Sequence, residues 1–160
     1  MKVGILVHSK TGNTLNVAKK LVEKFKSNGY LASIEQIVAE NDGETDIKKI
    51  QLTNIPNISE YDIVIFGAPV RGFSLSPVMQ SYLLNCEPLE EKKVSCYVTQ
   101  HFPYPWMGGR RAIEQMKNLC IAKEAKVKDS AIINMTNKKR DKMIEDAVER
   151  LCYFKSEEVL

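Results

Sequence analysis

The chain has 160 residues, with 23 Lys or Arg against 20 Asp or Glu, which gives a formal net charge of +3. Its 44% hydrophobic content excludes intrinsic disorder, and its 8 Gly and 6 Pro exclude collagen-like and low-complexity classes. The longest apolar stretch, residues 63–70, is far shorter than the roughly 20 residues of a membrane span, and the charge excess is too small for a nucleic-acid footprint.

Short apolar runs rich in Val and Ile predict five strands, at residues 2–7, 31–38, 61–66, 93–99 and 127–135. Apolar residues at helical spacing predict helices over residues 14–26, from Ser76-Pro77 onward, after Gly108-Gly109, and over a last segment that includes residues 143–152. The third strand is expected to end at Gly67, and residues 41–59 to form a short irregular helix and loop. We expect one domain over residues 1–154 and a frayed tail at residues 155–160.

Strands that alternate with helices predict an α/β fold, in which a parallel sheet is covered by helices on both faces. Ligands of such sheets bind beyond the carboxyl ends of the strands, where the winding direction reverses. The loops after the first, third and fourth strands, residues 8–14, 67–76 and 99–109, should therefore contain the site.

The first loop carries hydroxyls at Ser9, Thr11 and Thr14, with Gly12 between them. Free N–H groups at a helix N-terminus, together with such hydroxyls, suit a phosphate. A simple helix cap is the alternative, although one hydroxyl is enough for a cap. The loop lacks the pattern of nucleoside-triphosphate loops, the three-glycine dinucleotide turn, and the Cys and Arg of low-molecular-weight tyrosine phosphatases.

Residues 9–14, Ser-Lys-Thr-Gly-Asn-Thr, resemble the Ser/Thr-x-Thr-Gly-x-Thr fingerprint of the flavodoxin family, and residues 67–72, Gly-Ala-Pro-Val-Arg-Gly, are similar to its second loop. The resemblance implies a flavodoxin-like three-layer sandwich with strand order 2-1-3-4-5, FMN bound without a covalent link, and electron transfer in the cytoplasm. The FMN-binding residues that it implies by position are Ser9, Lys10, Thr11, Gly12, Asn13, Thr14, Pro69, Val70, Arg71, Gly72, Phe73, Thr99, Gln100, Phe102, Tyr104, Trp106, Gly108 and Gly109.

The second loop should border one face of the isoalloxazine. In the family, a backbone carbonyl of this loop turns toward the flavin N5–H in the one-electron reduced state, and Gly72 stands at that peptide. Glycine tolerates both backbone conformations, so we expect Gly72→Ala to weaken the one-electron reduced state.

The third loop is rich in aromatic residues and Pro, and flavin is a flat, largely apolar ring system that aromatic side chains stack on. Tyr104 and Trp106 are the stacking candidates, with Phe102 behind them. The alternative is that one or two of these rings fill the end of the sheet as core. His101 and His8 are expected to be surface polar groups rather than bases.

Neither flavin loop contains Asp or Glu, whereas Arg71, Arg110 and Arg111 bring positive charge. Arg71 also stands where many flavodoxins place a large aromatic residue. Because fully reduced flavin is anionic, nearby positive charge favours it, and we expect a less negative potential than in an acidic flavodoxin. A basic carrier should also prefer acidic or neutral partners.

The leading hypothesis is therefore an FMN protein that shuttles electrons between a reductase and an oxidoreductase, with no catalytic residue and no metal. An NAD(P)H-dependent, FMN-containing quinone or flavin reductase is the alternative, and a module that has lost its flavin is a third. The four widely spaced Cys are expected to be buried thiols, and no export signal is visible, so the cytoplasm is the expected compartment.

Overall fold

The computed structural model describes residues 1–154, so the prediction of a frayed tail at residues 155–160 lies outside the described residues. The elements in chain order are β1 (Lys2–Val7), α1 (Asn13–Ser27), β2 (Leu31–Gln36), β3 (Val38–Ala39), a 3₁₀ turn (Ile47–Lys49), β4 (Leu52–Asn54), β5 (Ile63–Arg71), β6 (Ser74–Leu75), α2 (Pro77–Asn85), β7 (Lys93–Gln100), α3 (Gly109–Ala122), β8 (Lys126–Asn134) and α4 (Arg140–Leu151).

The central sheet has the strand order β2-β1-β5-β7-β8, with these five strands parallel and the short β6 paired antiparallel to β5. The five parallel strands are the five predicted from the sequence, and their order is the predicted 2-1-3-4-5. Val7 lies opposite Gly67, and Pro69 lies opposite Thr99. The carboxyl ends of β1, β5 and β7 therefore meet at one edge of the sheet, where their loops can share a ligand.

Helices cover both faces of the sheet, as predicted. On one face α1 and α4 pack through residues such as Leu21 and Val148, and on the other α2 and α3 pack through residues such as Met79 and Met116. The four cysteines are free and buried, which confirms the prediction of buried thiols. None of the helices within residues 1–154 has the length and apolar content needed to cross a membrane.

The predicted end of the third strand at Gly67 is wrong, because β5 continues to Arg71. A Cβ atom at position 67 would lie 2.2 Å from Cζ of Tyr97 on the neighbouring strand. The glycine therefore leaves room for a ring that crosses it and does not end the strand. The extension carries Arg71 out to the site, where it pairs with Ser74 of β6.

The predicted second strand over residues 31–38 is also too long, since β2 ends at Gln36. The chain turns at the buried Ile37, and Val38–Ala39 then pairs antiparallel with Leu52–Asn54. Residues 41–59 thus contain a strand in addition to the predicted short helix. The loop between these two short strands reaches the functional edge of the sheet through Asp42.

Candidate functional site

The loops that follow β1, β5 and β7 meet at the carboxyl edge of the sheet. The N–H of His8 donates to the carbonyl of Gly67 at 3.0 Å, which joins the first loop to β5. A Cβ atom at Gly108 would lie 2.7 Å from Cα of Phe73, so the end of the third loop packs directly on the second. The three segments predicted to hold a ligand therefore form one contiguous surface.

The first loop turns at Gly12, whose φ of 95° lies in the left-handed region that glycine adopts without strain. Within residues 1–154, no acceptor meets the N–H groups of residues 11–14, and the exposed Thr11 hydroxyl has no partner. The Ser9 hydroxyl accepts from the N–H of Leu15 at 3.2 Å. The first turn of α1 holds no acidic residue, so this end of the helix can receive an anion.

Thr14 and Thr99, both predicted to contact FMN, are buried and hydrogen-bonded to each other, with 2.9 Å between the two Oγ1 atoms. The carbonyl of Thr14 accepts a hydrogen bond from the Tyr97 hydroxyl at 2.7 Å. Burial raises the pKa of Tyr97, so this hydroxyl remains a donor. The hydrogen bond between Thr14 and Thr99 connects the start of α1 to the end of β7 and fixes the end of the first loop, residues 8–14.

The second loop is a tight hairpin in which Val70 pairs with Leu75 and Arg71 pairs with Ser74. Its two turn residues, Gly72 and Phe73, have φ angles of 56° and 60°, as a type I′ turn requires. Left-handed backbone is strained for a bulky residue, and the cost is about 1–2 kcal/mol. The surrounding contacts must hold Phe73 in this conformation.

The third loop is held by side chains at the ends of β7 and β8. The carboxamide of Gln100 donates to the carbonyls of Phe102 and Tyr104 at 2.8 and 2.9 Å. Asn134 donates to the carbonyl of Pro103 at 2.7 Å, and Thr136 donates to that of His101 at 2.8 Å. Gln100, predicted to contact FMN, is thus buried and anchors the loop.

The aromatic rings of this loop face solvent, so the alternative that they fill the end of the sheet is wrong. Phe102, Tyr104 and Trp106 are 46%, 55% and 67% exposed. Trp106 stacks on Tyr104 with 5.8 Å between ring centroids and 5° between planes, and Phe102 stacks on Phe73 at 5.0 Å and 17°. The loop therefore offers flat apolar surfaces, while His101 is exposed as predicted.

His8 is only 1% exposed, so the prediction of a surface polar group is wrong. Its Nε2–H donates to Asp42 Oδ2 at 2.7 Å, and its Nδ1 lies 2.7 Å from Oγ of Ser76, which caps α2. Burial lowers the pKa of His8, and the carboxylate of Asp42 opposes that shift in part. The imidazole is therefore neutral near pH 7, and Nδ1 accepts a hydrogen bond from the Ser76 hydroxyl.

The same carboxylate binds Arg71. Nη2 of Arg71 donates to Asp42 Oδ1 at 2.6 Å, and Nη1 donates to the backbone carbonyl of Asp42 at 2.7 Å. Burial raises the pKa of Asp42, but the hydrogen bonds from His8 and Arg71 outweigh it, and the net pKa is lowered. The expected positive charge of Arg71 is therefore balanced by the carboxylate of Asp42, which no sequence motif indicates.

Lys10, at the variable position of the first loop, lines a cavity of about 550 Å³ beside the hairpin, together with Gly43, Arg71, Gly72 and Arg111. Cavities of this size hold small ligands in many proteins. The cavity lies next to the proposed phosphate loop and hairpin, and it extends the site toward the N-terminal end of α3.

No family model matches this sequence. Among solved structures, a flavodoxin from Streptococcus pneumonia TIGR4 is similar over 95% of this chain and 95% of its own, with a TM-score of 0.68 and 16% identity. The chain has the flavodoxin-like fold. Oxidised Flavodoxin 1 from Bacillus cereus is similarly close, with a TM-score of 0.69 and 17% identity over 94% of this chain and 95% of its own.

One curated relative matches part of the chain, an NAD(P)H dehydrogenase (quinone) from Archaeoglobus fulgidus. It is 22% identical in an alignment 94 positions long, which covers 51% of this chain and 49% of the relative. The chain thus spans about half the length of that relative.

Proposed function

We propose that this protein binds FMN and carries electrons between a reductase and an oxidoreductase in the cytoplasm. The observation that carries the proposal is the turn over residues 11–14, whose N–H groups have no acceptor within residues 1–154, at the same sheet edge as an exposed aromatic surface. A phosphate on the turn and a flat ring on the aromatic surface would satisfy both features. The donors are convergent and uncharged, which is how such turns hold a phosphate dianion.

Bound FMN would supply the one- and two-electron chemistry, and the residues of the chain bind and orient it. The N–H groups of residues 11–14 and the Thr11 hydroxyl would hold the phosphate. Gly72 and Phe73 would border one side of the ring, and Tyr104 and Trp106 would stack with it. Redox partners would be acidic or neutral, because the cations Arg110 and Arg111 flank this edge.

A titration with FMN tests the proposal, because the single tryptophan of the chain, Trp106, lies on the proposed surface. We expect saturable quenching of its fluorescence by FMN. Riboflavin, which lacks the phosphate, should bind at least about tenfold more weakly, which corresponds to ~1.4 kcal/mol. No saturable uptake of FMN, by fluorescence and by calorimetry, would overturn the proposal and leave a module without flavin.

The second candidate is an NAD(P)H-dependent quinone or flavin reductase with FMN. The partial match to an NAD(P)H dehydrogenase (quinone) and the cavity beside Lys10 and Arg111 favour it. Mixing the FMN-loaded protein with NADPH or NADH without air separates the two candidates. Rapid bleaching of the flavin would support the reductase, and a colour that persists until a separate reductase is added would support the carrier.

A further inference from the structure

We propose that Asp42 is a positioning residue of this site. It fixes the hairpin over residues 70–75 to the start of the phosphate loop, residues 9–14, and neutralises Arg71. This inference rests on the proposed FMN function. Asp42 lies in neither of the segments that carry the flavodoxin resemblance, and it is 29 residues from Arg71 and 34 from His8 along the chain.

The polar links from the loop over residues 40–46 to the rest of the described fold are made by Asp42. Asn41 closes the base of the loop by donating to the carbonyl of Lys49 at 2.7 Å and accepting from the N–H of Gln51 at 2.8 Å. Within residues 1–154, every hydrogen bond or ion pair from residues 40–46 to positions outside 40–51 is made by Asp42. These hydrogen bonds therefore tie the loop to His8 and Arg71.

One carboxylate joins two parts of the site. Oδ2 accepts from His8, which directly precedes the phosphate loop, and Oδ1 accepts from Arg71, which directly precedes the hairpin turn. The second ring nitrogen of His8 reaches Ser76 at the start of α2. We call His8, Asp42, Arg71 and Ser76 the clasp.

The hairpin turn needs such fixation. Both of its residues, Gly72 and Phe73, have left-handed backbone, and Phe73 is strained there. Strained turns persist when neighbouring groups over-determine them, and the Arg71 guanidinium is held at two of its nitrogens by Asp42. Loss of Asp42 would free Arg71, loosen the turn beside the ring and leave a positive charge unbalanced.

The charged groups that act on His8 are Asp42 from the loop after β3, Arg71 from β5 and Lys10 from the phosphate loop. Asp42 raises the pKa of His8, whereas burial, Arg71 and Lys10 lower it. Asp42→Asn removes the only raising group among them, so the pKa of His8 should fall further. A role of Asp42 that was only steric would leave this pKa unchanged, since Asn has nearly the same shape.

The test compares Asp42→Asn with Glu40→Gln, which removes one exposed carboxylate from the same loop outside the clasp and outside the cavity beside the hairpin. The chain has only two histidines, so NMR resolves the ring of His8, and His101→Gln assigns it. In the flavin-free protein, we expect Asp42→Asn to lower the pKa of His8 and shift the amide signals of Gly72 and Phe73, and Glu40→Gln to change neither.

In FMN titrations, Asp42→Asn should weaken binding at least about tenfold, or ~1.4 kcal/mol, and Glu40→Gln by less than about twofold. The reduction potential for formation of the fully reduced flavin should become more positive in Asp42→Asn, because the positive charge of Arg71 is then no longer balanced by a carboxylate. Arg71→Lys keeps the positive charge but loses the two hydrogen bonds from guanidinium nitrogens to Asp42, and it should weaken FMN binding by a similar factor.

Equal effects of Asp42→Asn and Glu40→Gln on the His8 pKa and on the turn signals would overturn the clasp. Unchanged FMN affinity in both Asp42→Asn and Arg71→Lys would overturn the positioning role. If the unsubstituted protein takes up no FMN, the proposed function fails, and the NMR measurements on the flavin-free protein still decide whether the clasp exists.

Discussion

The hydroxyls of Thr11 and Thr14 belong to the same six-residue motif, but the structure gives them different tasks. Thr11 is exposed, and its hydroxyl has no hydrogen-bond partner among residues 1–154, whereas Thr14 is buried against Thr99. Replacing each by Val removes the hydroxyl and nearly preserves the shape. Thr11→Val should therefore impair FMN binding without destabilising the fold, and Thr14→Val should destabilise the fold.

The magnitudes follow from the partners. A hydrogen bond to a charged group contributes roughly 1.5–3 kcal/mol, so Thr11→Val should raise the Kd for FMN by roughly 10- to 150-fold. The free energy of unfolding without flavin should change by less than about 0.5 kcal/mol. Thr14→Val leaves the buried Thr99 hydroxyl unpaired, which costs roughly 1–3 kcal/mol, or about 2–12 °C in Tm.

Two assays separate these effects: urea unfolding of the flavin-free proteins, and FMN titration monitored by Trp106 fluorescence. A Kd for FMN in Thr11→Val within about twofold of that of the unsubstituted protein would contradict the role of Thr11, since no charged hydrogen bond would then have been lost. Equal destabilisation of the flavin-free protein by Thr11→Val and Thr14→Val would contradict the division of roles between the two hydroxyls.

Gly67→Ala should destabilise the protein by roughly 1–3 kcal/mol in urea unfolding, because its methyl group would overlap the Tyr97 ring. Gly43→Ala should change the free energy of unfolding little, because within residues 1–154 only its chain neighbours lie within 4 Å of the added methyl group. Gly72→Ala meets no clash but places Ala at a φ of 56°, so we expect a cost of about 1–2 kcal/mol and less of the one-electron reduced flavin in a stepwise reduction; an unchanged yield would discard the proposed carbonyl role. Burial lowers the pKa of His8 below its ordinary 6.5, so as pH decreases the unfolded chain protonates this side chain before the folded protein does. The free energy of unfolding should therefore fall as pH decreases below about 6.5. His8→Gln should remove that fall. Because the pKa of Asp42 is lowered from its ordinary value near 3.8, protonation of Asp42 should reduce the free energy of unfolding only at more acidic pH, below about 3.8.

The fold was predictable because its signals are local. Each parallel strand is a short apolar run, and the alternation with amphipathic helices specifies a two-sided sheet. The errors arose where a residue's environment is made by a distant partner. In the sequence, Gly67 indicates the end of a strand. In the structure, the position needs a residue without a side chain because the ring of Tyr97, 30 positions later in the adjacent strand, lies against it.

The site divides in the same way. Gly12 and Thr11 could be proposed as phosphate-binding residues because a strand–turn–helix motif lies within a few residues of sequence. Asp42 was missed because its contacts with His8 and Arg71 span 34 and 29 residues and follow no motif. Asn134 and Thr136 donate hydrogen bonds to the third loop because β8 lies beside β7, and no local sequence pattern indicates these contacts.

Because Arg71 is paired with Asp42, the remaining positive charge at this edge lies on Lys10 and on the two arginines at the N-terminal end of α3. Arg110 and Arg111 lie in its first turn, which holds no acidic residue, and both are exposed. Cations are unfavourable at this end of a helix by about 0.3–1 kcal/mol each, so an anionic group from outside would relieve them.

Arg110→Gln and Arg111→Gln should therefore each raise the free energy of unfolding by about 0.3–1 kcal/mol at low ionic strength, and less at high salt. Lys19→Gln, in the interior of α1, should not do so. If an acidic partner binds at this edge, the same two Arg variants should also slow its electron transfer, and most at low salt. Arginine variants that lose stability, or that gain none relative to Lys19→Gln, would show that the charge at this edge is already balanced within the protein.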